Sequence, residues 1–453
     1  MASPLSDGSQ GSQDLVGTIW LGFQQMSAFE ANPLVITGGK RLRCWSQDGR
    51  EFIDAISGAM VSALGYGNDD IRAAMHAAID RQDFWPFLHA TTPAALKLAG
   101  RLSEIFPPGL NTSFLVCGAP KGTKTAMKMA RQFHRNRGEA TRFKVVSRYW
   151  SYHGATLAAN AASGVSDRRK FEPLPTGFIH VPPPYCYRCP WGKSPETCAL
   201  DCVSSLEETI RYEGRETIAA IIVDPIMAGA GVIVPPQDYY RRIREICDRS
   251  GALLIFDEVL TGFGRTGHLF AADYYQVVPD MICVGKGITS GYAPVAAVGV
   301  HDRIVAEFKG EDSRTFVHGH TFGGYPLGCE TALAVIEKID ADGLVENARD
   351  VGCYLGERLA HLASLHPEIG DARGLGMLWG IEFVADRETR RPFPGRNAFA
   401  PLVRRKALEG GLITRGSANV LILAPALIAT REDIDEIVER VDRAIVAARK
   451  EYA

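Results

Sequence analysis

Four short apolar runs in this chain each end in residues able to do chemistry. Residues 218–223 lead into Asp224-Pro225, 252–256 into Asp257-Glu258, and 281–284 into Gly285-Lys286-Gly287. Residues 113–117 lead into Gly118-Ala119-Pro120 and then a helical stretch. In open parallel sheets ligands gather at the carboxyl ends of the strands. One acid after a strand is an ordinary cap or surface group. Two acids, a lysine and a glycine-containing turn at matching ends of one sheet suit an anionic, electron-poor cofactor. A lysine usually snorkels to water. Desolvated, or set beside another cation, it has a lowered pKa and can form a Schiff base. That is the chemistry open to Lys286. Asp257 follows Leu253-Leu254-Ile255-Phe256, and burying its carboxylate is costly unless it is paired. The partner could be a protonated pyridine nitrogen, which would keep the ring an electron sink. The plainer reading is a strand-end cap.

Strands that end this way need a sheet buried on both faces. Short apolar runs alternating with helical segments from about 65 to 330 predict an α/β fold with a mostly parallel sheet. Residues 1–14 read as a flexible tail without the apolar segment of a signal peptide. Residues 15–64 read as an N-terminal arm with a hairpin over 34–56 turning at Asp48-Gly49. Residues 65–330 read as a large cofactor-binding domain. Residues 331–453 read as a smaller α+β domain, with helices over 330–340, 348–365 and 431–449 and a strand near 377–384. A length of 453 residues suits this division, and 46% hydrophobic with 23% charged residues is ordinary for a globular protein. A formal net charge of -2 gives no support to nucleic-acid or polybasic membrane binding. No apolar run approaches the roughly 20 residues of a membrane span. A cytoplasmic protein is expected, with Cys44, Cys117, Cys247, Cys283, Cys329 and Cys353 as small buried hydrophobes.

Longer blocks resemble a known family. Asp257-Glu258-Val259-Leu260-Thr261-Gly262-Phe263-Gly264-Arg265-Thr266-Gly267 is similar to the signature of the class III aminotransferases. Val284-Gly285-Lys286-Gly287-Ile288-Thr289-Ser290-Gly291 is similar to their lysine motif, and Tyr152-His153-Gly154-Ala155-Thr156 to their aromatic stacking loop. The segments starting at Asp224 and His318 resemble two further blocks, and the likeness runs from about residue 18 to residue 445.

The resemblance implies fold type I, pyridoxal 5'-phosphate (PLP) as cofactor, and a homodimer with shared active sites. It implies transfer of an amino group between an amine or amino acid and a keto acid. Lys286 would hold the cofactor and carry the proton, and Asp257 would face the ring nitrogen. Tyr152, with His153 beside it, would stack on the ring, Val259 would pack on the other face, and Asp224 would lie on the cofactor side. Gly118, Ala119 and Pro120 would form the phosphate cup, joined by Thr321 from the partner chain. Arg415 would clamp a substrate carboxylate, with Met60 and Phe23 also around the substrate.

The likeness breaks at the cup. Where the family has a small hydroxyl residue and two glutamates, this chain has Pro120, Lys121 and Lys124. Lysine in a first helical turn opposes the helix dipole, so Lys121, and with it Lys124, is expected to support the cofactor phosphate or a second anion on the substrate. Met60 stands where the ω-branch often has a pocket tryptophan, and Asp224 where glutamate is usual. These departures also fit a PLP enzyme diverted to elimination, decarboxylation or carbon–carbon bond formation on a bulky or phosphorylated substrate. Finally, Cys186, Cys189, Cys198 and Cys202 have a spacing that could hold structural zinc, although packed free thiols fit better.

Overall fold

Runs that are apolar at every position form strands buried on both faces, and three such strands build the centre of this protein. The structure is a computed structural model that describes residues 15–394 and 399–452. The predicted tail over 1–14 lies outside the described residues. In chain order the strands are β1 (Ile36–Lys40), β2 (Arg43–Ser46), β3 (Glu51–Asp54), β4 (Thr112–Val116), β5 (Lys144–Arg148), β6 (Phe178–Val181), β7 (Ile218–Val223), β8 (Leu253–Asp257), β9 (Met281–Val284), β10 (Ala296–Val300), β11 (Ile369–Leu375), β12 (Leu378–Phe383), β13 (Leu412–Ile413), β14 (Arg415–Ser417) and β15 (Val420–Leu423).

Seven strands form the main sheet in the order β4-β10-β9-β8-β7-β5-β6. Every residue of β7, β8 and β9 is buried. The pairs β9/β8, β8/β7, β7/β5 and β5/β6 are parallel, while β10 runs antiparallel to both β9 and β4. The carboxyl ends of β7, β8 and β9 therefore lie side by side, as the sequence predicts, with that of β5 next to β7, while β4, the fourth predicted run, stands one strand beyond β9 across β10. Asp257 closes β8 itself, and its register partner on β9 is Cys283, three residues before Lys286.

The helix Ala119–Asn136 lies against this sheet. It buries Ala126, Met127, Met129, Ala130 and Phe133. Lys121, Lys124 and Lys128 are spaced three and four apart and share another face.

The predicted 34–56 hairpin is a three-stranded meander, β1-β2-β3, whose last strand accepts β13 in parallel from near the other end of the chain. The C-terminal region forms a third sheet, β11-β12-β15-β14. The strand predicted near 377–384 is thus half of a hairpin, with Gly376 at its turn. Gly376 has φ +55°. A Cβ there would sit 2.4 Å from the carbonyl carbon of Thr266 and 2.5 Å from the nitrogen of Gly267. Met377 N–H donates to Arg265 O at 2.9 Å, and the buried Arg265 donates from Nη1 to Met377 O at 3.1 Å. This turn binds the 265–267 loop to the C-terminal sheet by backbone contact, with no room for a side chain. Gly376→Ala is expected to destabilise the protein by at least about 2 kcal/mol, from the left-handed backbone alone before any clash. Denaturant unfolding of the variant checks this.

Candidate active site

Alternation along β8 decides what its two terminal acids do, because successive side chains point to opposite faces. Glu258 turns away from the sheet end and anchors the loop beyond it. Its carboxylate accepts from Thr261 Oγ1 at 2.5 Å and from the N–H groups of Ala271 and Ala272 at 2.9 and 2.7 Å, at the start of helix Ala271–Tyr275. Burial pushes its pKa up to about 7 against those hydrogen bonds. Glu258 is structural.

Asp257 meets His153 instead. Its Oδ2 lies 2.8 Å from His153 Nδ1, and its Oδ1 accepts the Val259 N–H at 3.3 Å. Both side chains are almost fully buried, and His153 Nε2 has no hydrogen-bond partner. The loop carrying His153 is pinned at both ends of the residue. Its N–H donates to Ser163 Oγ and its carbonyl accepts from Thr123 Oγ1, each at 2.8 Å. Gly154 follows with φ +124°, and a Cβ there would lie 2.5 Å from Pro120 Cβ. The Pro120 ring is therefore the surface on which the Tyr152–Gly154 loop rests, which gives this departure from the family pattern a packing role.

Lys286 begins a short helical turn with φ +48°. Loss of solvent, then the Arg415 guanidinium, pushes its ammonium down to about 8, with Asp257 opposing and Arg265 adding to the shift. Arg415, exposed at the start of β14, also acts on Tyr152, whose phenol is raised chiefly by burial. These electrostatic couplings place Lys286, Asp257, Tyr152 and Arg415 in one neighbourhood. Tyr152 is half-exposed and packs on the backbone of Gly229. Val259 approaches the backbone at Gly285.

Asp224 is held by a residue the sequence reading did not single out. Arg148, fully buried at the end of β5, places Nη2 2.8 Å from Asp224 Oδ1 and 2.5 Å from its carbonyl oxygen, and donates from Nη1 to Tyr240 Oη at 2.9 Å. Burial raises the Asp224 pKa, with Arg148 and then His153 opposing and Asp257 adding to the rise. An arginine at the end of a short strand that is buried from Val145 onward was the available signal, but its partner is 76 residues away.

The remaining predicted residues divide. Gly118 precedes the helix Ala119–Asn136, and a Cβ on it would meet nothing within 4 Å. Lys121 Nζ lies 2.9 Å from Cys117 Sγ. Met60 is buried in an apolar cluster with Ile56, Ile226, Ala228 and Val420. Phe23, at 85% exposure, and Thr321, also exposed, are not packed into the site within one chain.

The zinc reading is corrected. All four clustered cysteines are free thiols, and among the described residues no group of three or more His, Cys, Asp or Glu could hold a metal. Cys202 enters helix Asp201–Glu213 and is buried in the main core, where burial raises its thiol to about 12. Cys198 Sγ turns to Asp201 Oδ2 at 3.6 Å. A thiol must give up its proton to ligate zinc, and the burial that raises Cys202 opposes that. Two scattered cysteines also differ from expectation, Cys353 being exposed and Cys117 half-buried.

A desolvated lysine, a buried acid–imidazole pair and an open helix start, all at the carboxyl ends of a mostly parallel sheet, define an α/β transferase site built around an anionic cofactor. The class-III aminotransferase profile matches residues 26–445, and the chain belongs to that family. An adenosylmethionine-8-amino-7-oxononanoate aminotransferase of Geobacter sulfurreducens is 36% identical over 433 residues, covering 94% of this chain and 95% of its own. A thermostable (S)-enantioselective omega-transaminase from Thermomicrobium roseum shares the fold at TM-score 0.93 and 35% identity, over 98% of this chain and 99% of that one. A variant of the omega transaminase PjTA-R6 matches at TM-score 0.93 and 29% identity, over 97% and 99%. It carries tryptophan-to-methionine, phenylalanine-to-leucine and arginine-to-leucine substitutions and was engineered for asymmetric synthesis of enantiopure bulky amines. The protein is thus a fold type I, PLP-dependent transferase that moves amino groups. The diverted reaction has no support among these relatives.

Arg148→Met would leave the Asp224 carboxylate buried without its cation. A loss of about 3–5 kcal/mol is expected, read as a lowered urea midpoint and partly restored by adding Asp224→Asn.

Proposed function

We propose that Lys286 is the residue that holds PLP and moves the proton during transfer of an amino group from an amine to a keto acid. The observation that carries this is the lysine's depressed pKa beside a buried, histidine-held carboxylate. The residues present fit the cofactor. The open backbone at Gly118 and Ala119 suits its phosphate, with the N–H groups of a helix start turned toward an anion. Thr321, exposed in one chain, would reach the same phosphate from the second subunit of a homodimer. Bound there, the ring supplies an electron sink that makes the proton on the substrate carbon labile.

The chain's own groups do the rest. Asp257 is held by His153 and the Val259 N–H, and its carboxylate would face the ring nitrogen. Arg148 pairs with Asp224 behind them, so four buried polar groups stay in register. Tyr152 and Val259 would confine the ring from its two faces. Lys286 would hold the cofactor and, as a base, would take up and give back the substrate proton. Its low pKa keeps much of it neutral near pH 8, which suits a nucleophile and base. Arg415 would receive the carboxylate of the keto acid through a two-pronged contact.

Met60 points to the donor. It stands where the resemblance places a tryptophan, and a tryptophan-to-methionine change is among those in the PjTA-R6 variant made for bulky amines. We infer a donor bulkier than a small alkyl amine. We also assign residues 65–330 as the cofactor-holding unit and 15–64 with 331–453 as the second unit, which the pairing of β13 with β3 supports. The free thiols support work in a reducing cytoplasm.

Lys286→Ala is expected to lose the absorbance of the attached cofactor and at least about a thousandfold in kcat. In the unaltered protein stripped of cofactor, the rate of PLP uptake should rise about tenfold per pH unit below the lysine's pKa of about 8 and level off above it, following the neutral amine. Retained turnover in the alanine variant would overturn the assignment. Met60→Trp should lower kcat/KM for a bulky aryl-alkyl amine at least about tenfold relative to isopropylamine. An unchanged ratio argues against the wide pocket.

A further inference from the structure

Lys121, Lys124 and Lys128 line the outer face of the helix Ala119–Asn136, starting from the end that forms the expected phosphate cup. Their side-chain partners are not acids. Lys121 Nζ lies by Cys117 Sγ, and Lys128 Nζ is 3.1 Å from His318 Nδ1. Among the described residues the lysines that pair with carboxylates are Lys144, Lys170, Lys338 and Lys406, and none of these three is among them.

Two imidazoles face the same stripe. His318 is fixed by Thr125 Oγ1 at 2.9 Å from its Nε2, and its ring centroid is 5.0 Å from that of His320. His320 Nε2 is buried and has no hydrogen-bond partner. Burial, then Lys128, His320 and Lys124, pushes the His318 imidazole down to about 4. Burial, then Lys124, Lys121 and Lys128, pushes down that of His320. Three ammonium groups and an unsatisfied imidazole therefore lie along one stripe with no carboxylate among the described residues of the same chain paired to them, and the first, Lys121, stands in the opening turn where the helix dipole is positive. Such an arrangement is repulsive unless an anion occupies it.

We propose that Lys121, Lys124, Lys128, His318 and His320 form a second anion site, beside the cofactor cup, that takes a phosphate-type dianion, free or carried as an ester on a larger molecule. A tetrahedral dianion can accept from several ammonium groups and an imidazole N–H at once, which a halide cannot. The inference does not depend on Lys286 or on the identity of the amine.

The test uses the PLP-loaded enzyme at low ionic strength. Inorganic phosphate, methyl phosphate and chloride are titrated separately and followed by calorimetry and phosphorus NMR. One phosphate per chain is expected, with a bound resonance separate from the cofactor's own and a Kd on the order of 0.1–1 mM. Lys124→Gln and Lys128→Gln should each weaken it about five- to tenfold while the cofactor's absorbance stays unchanged. Methyl phosphate binding as tightly as inorganic phosphate supports an ester-borne ligand, and a strong preference for inorganic phosphate supports the free ion. The proposal is overturned if no second resonance forms, if chloride competes equally, or if the lysine variants shed PLP while phosphate binding persists.

Discussion

The Asp257 carboxylate sits almost out of water at the end of β8, and much of the surrounding structure serves to give it partners there. An isolated carboxylate in such a place would neutralise itself by taking up a proton. Here an imidazole at 2.8 Å and a backbone N–H offset the lost hydration. His153 can serve only because Ser163 and Thr123 fix its backbone and Pro120 supports the turn at Gly154. The helix, the aromatic loop and the central strand are thus tied through one side chain. The burial that encloses Asp257 also strips water from Lys286 and lowers the pKa of its ammonium.

The neighbouring acid shows how little of this lies in residue type. Asp257 and Glu258 are adjacent carboxylates in the same buried stretch. One meets His153 and the other, one residue past the strand, closes a helix end. Arg148 and Asp224 repeat the theme at the ends of β5 and β7, where a largely buried ion pair lies behind the site.

The central sheet was legible because β7 and β9 are apolar at every position and β8 at every position before Asp257, and their ends carry the residues proposed to do chemistry. The remaining strands were less so. β10, one strand in from the β4 edge, is built from Ala296, Ala297, Val298, Gly299 and Val300, residues too small to stand out. β6 contains His180, whose ring is spent on the carbonyls of Ala162 and Ser163. Arg148 was passed over because its meaning depends on Asp224, far away in sequence. The clustered cysteines are free thiols, the reading their sequence favoured over zinc, and helix Asp201–Glu213 buries Cys202 in the core. Lys286 and Asp257 stood out from the ends of their strands and Tyr152 through motif likeness, while the contact between His153 and Asp257 needed three dimensions.

The two-residue strand β13 has a consequence beyond the static fold. Leu412 and Ile413 pair with Ile53 and Asp54, and Arg415 follows two residues later. The guanidinium beside the lysine is therefore set in place by a segment synthesised hundreds of residues earlier. A shift of β3 in the N-terminal arm is carried by β13 straight to the arginine, so the arm and this guanidinium move as one piece although they lie far apart in sequence.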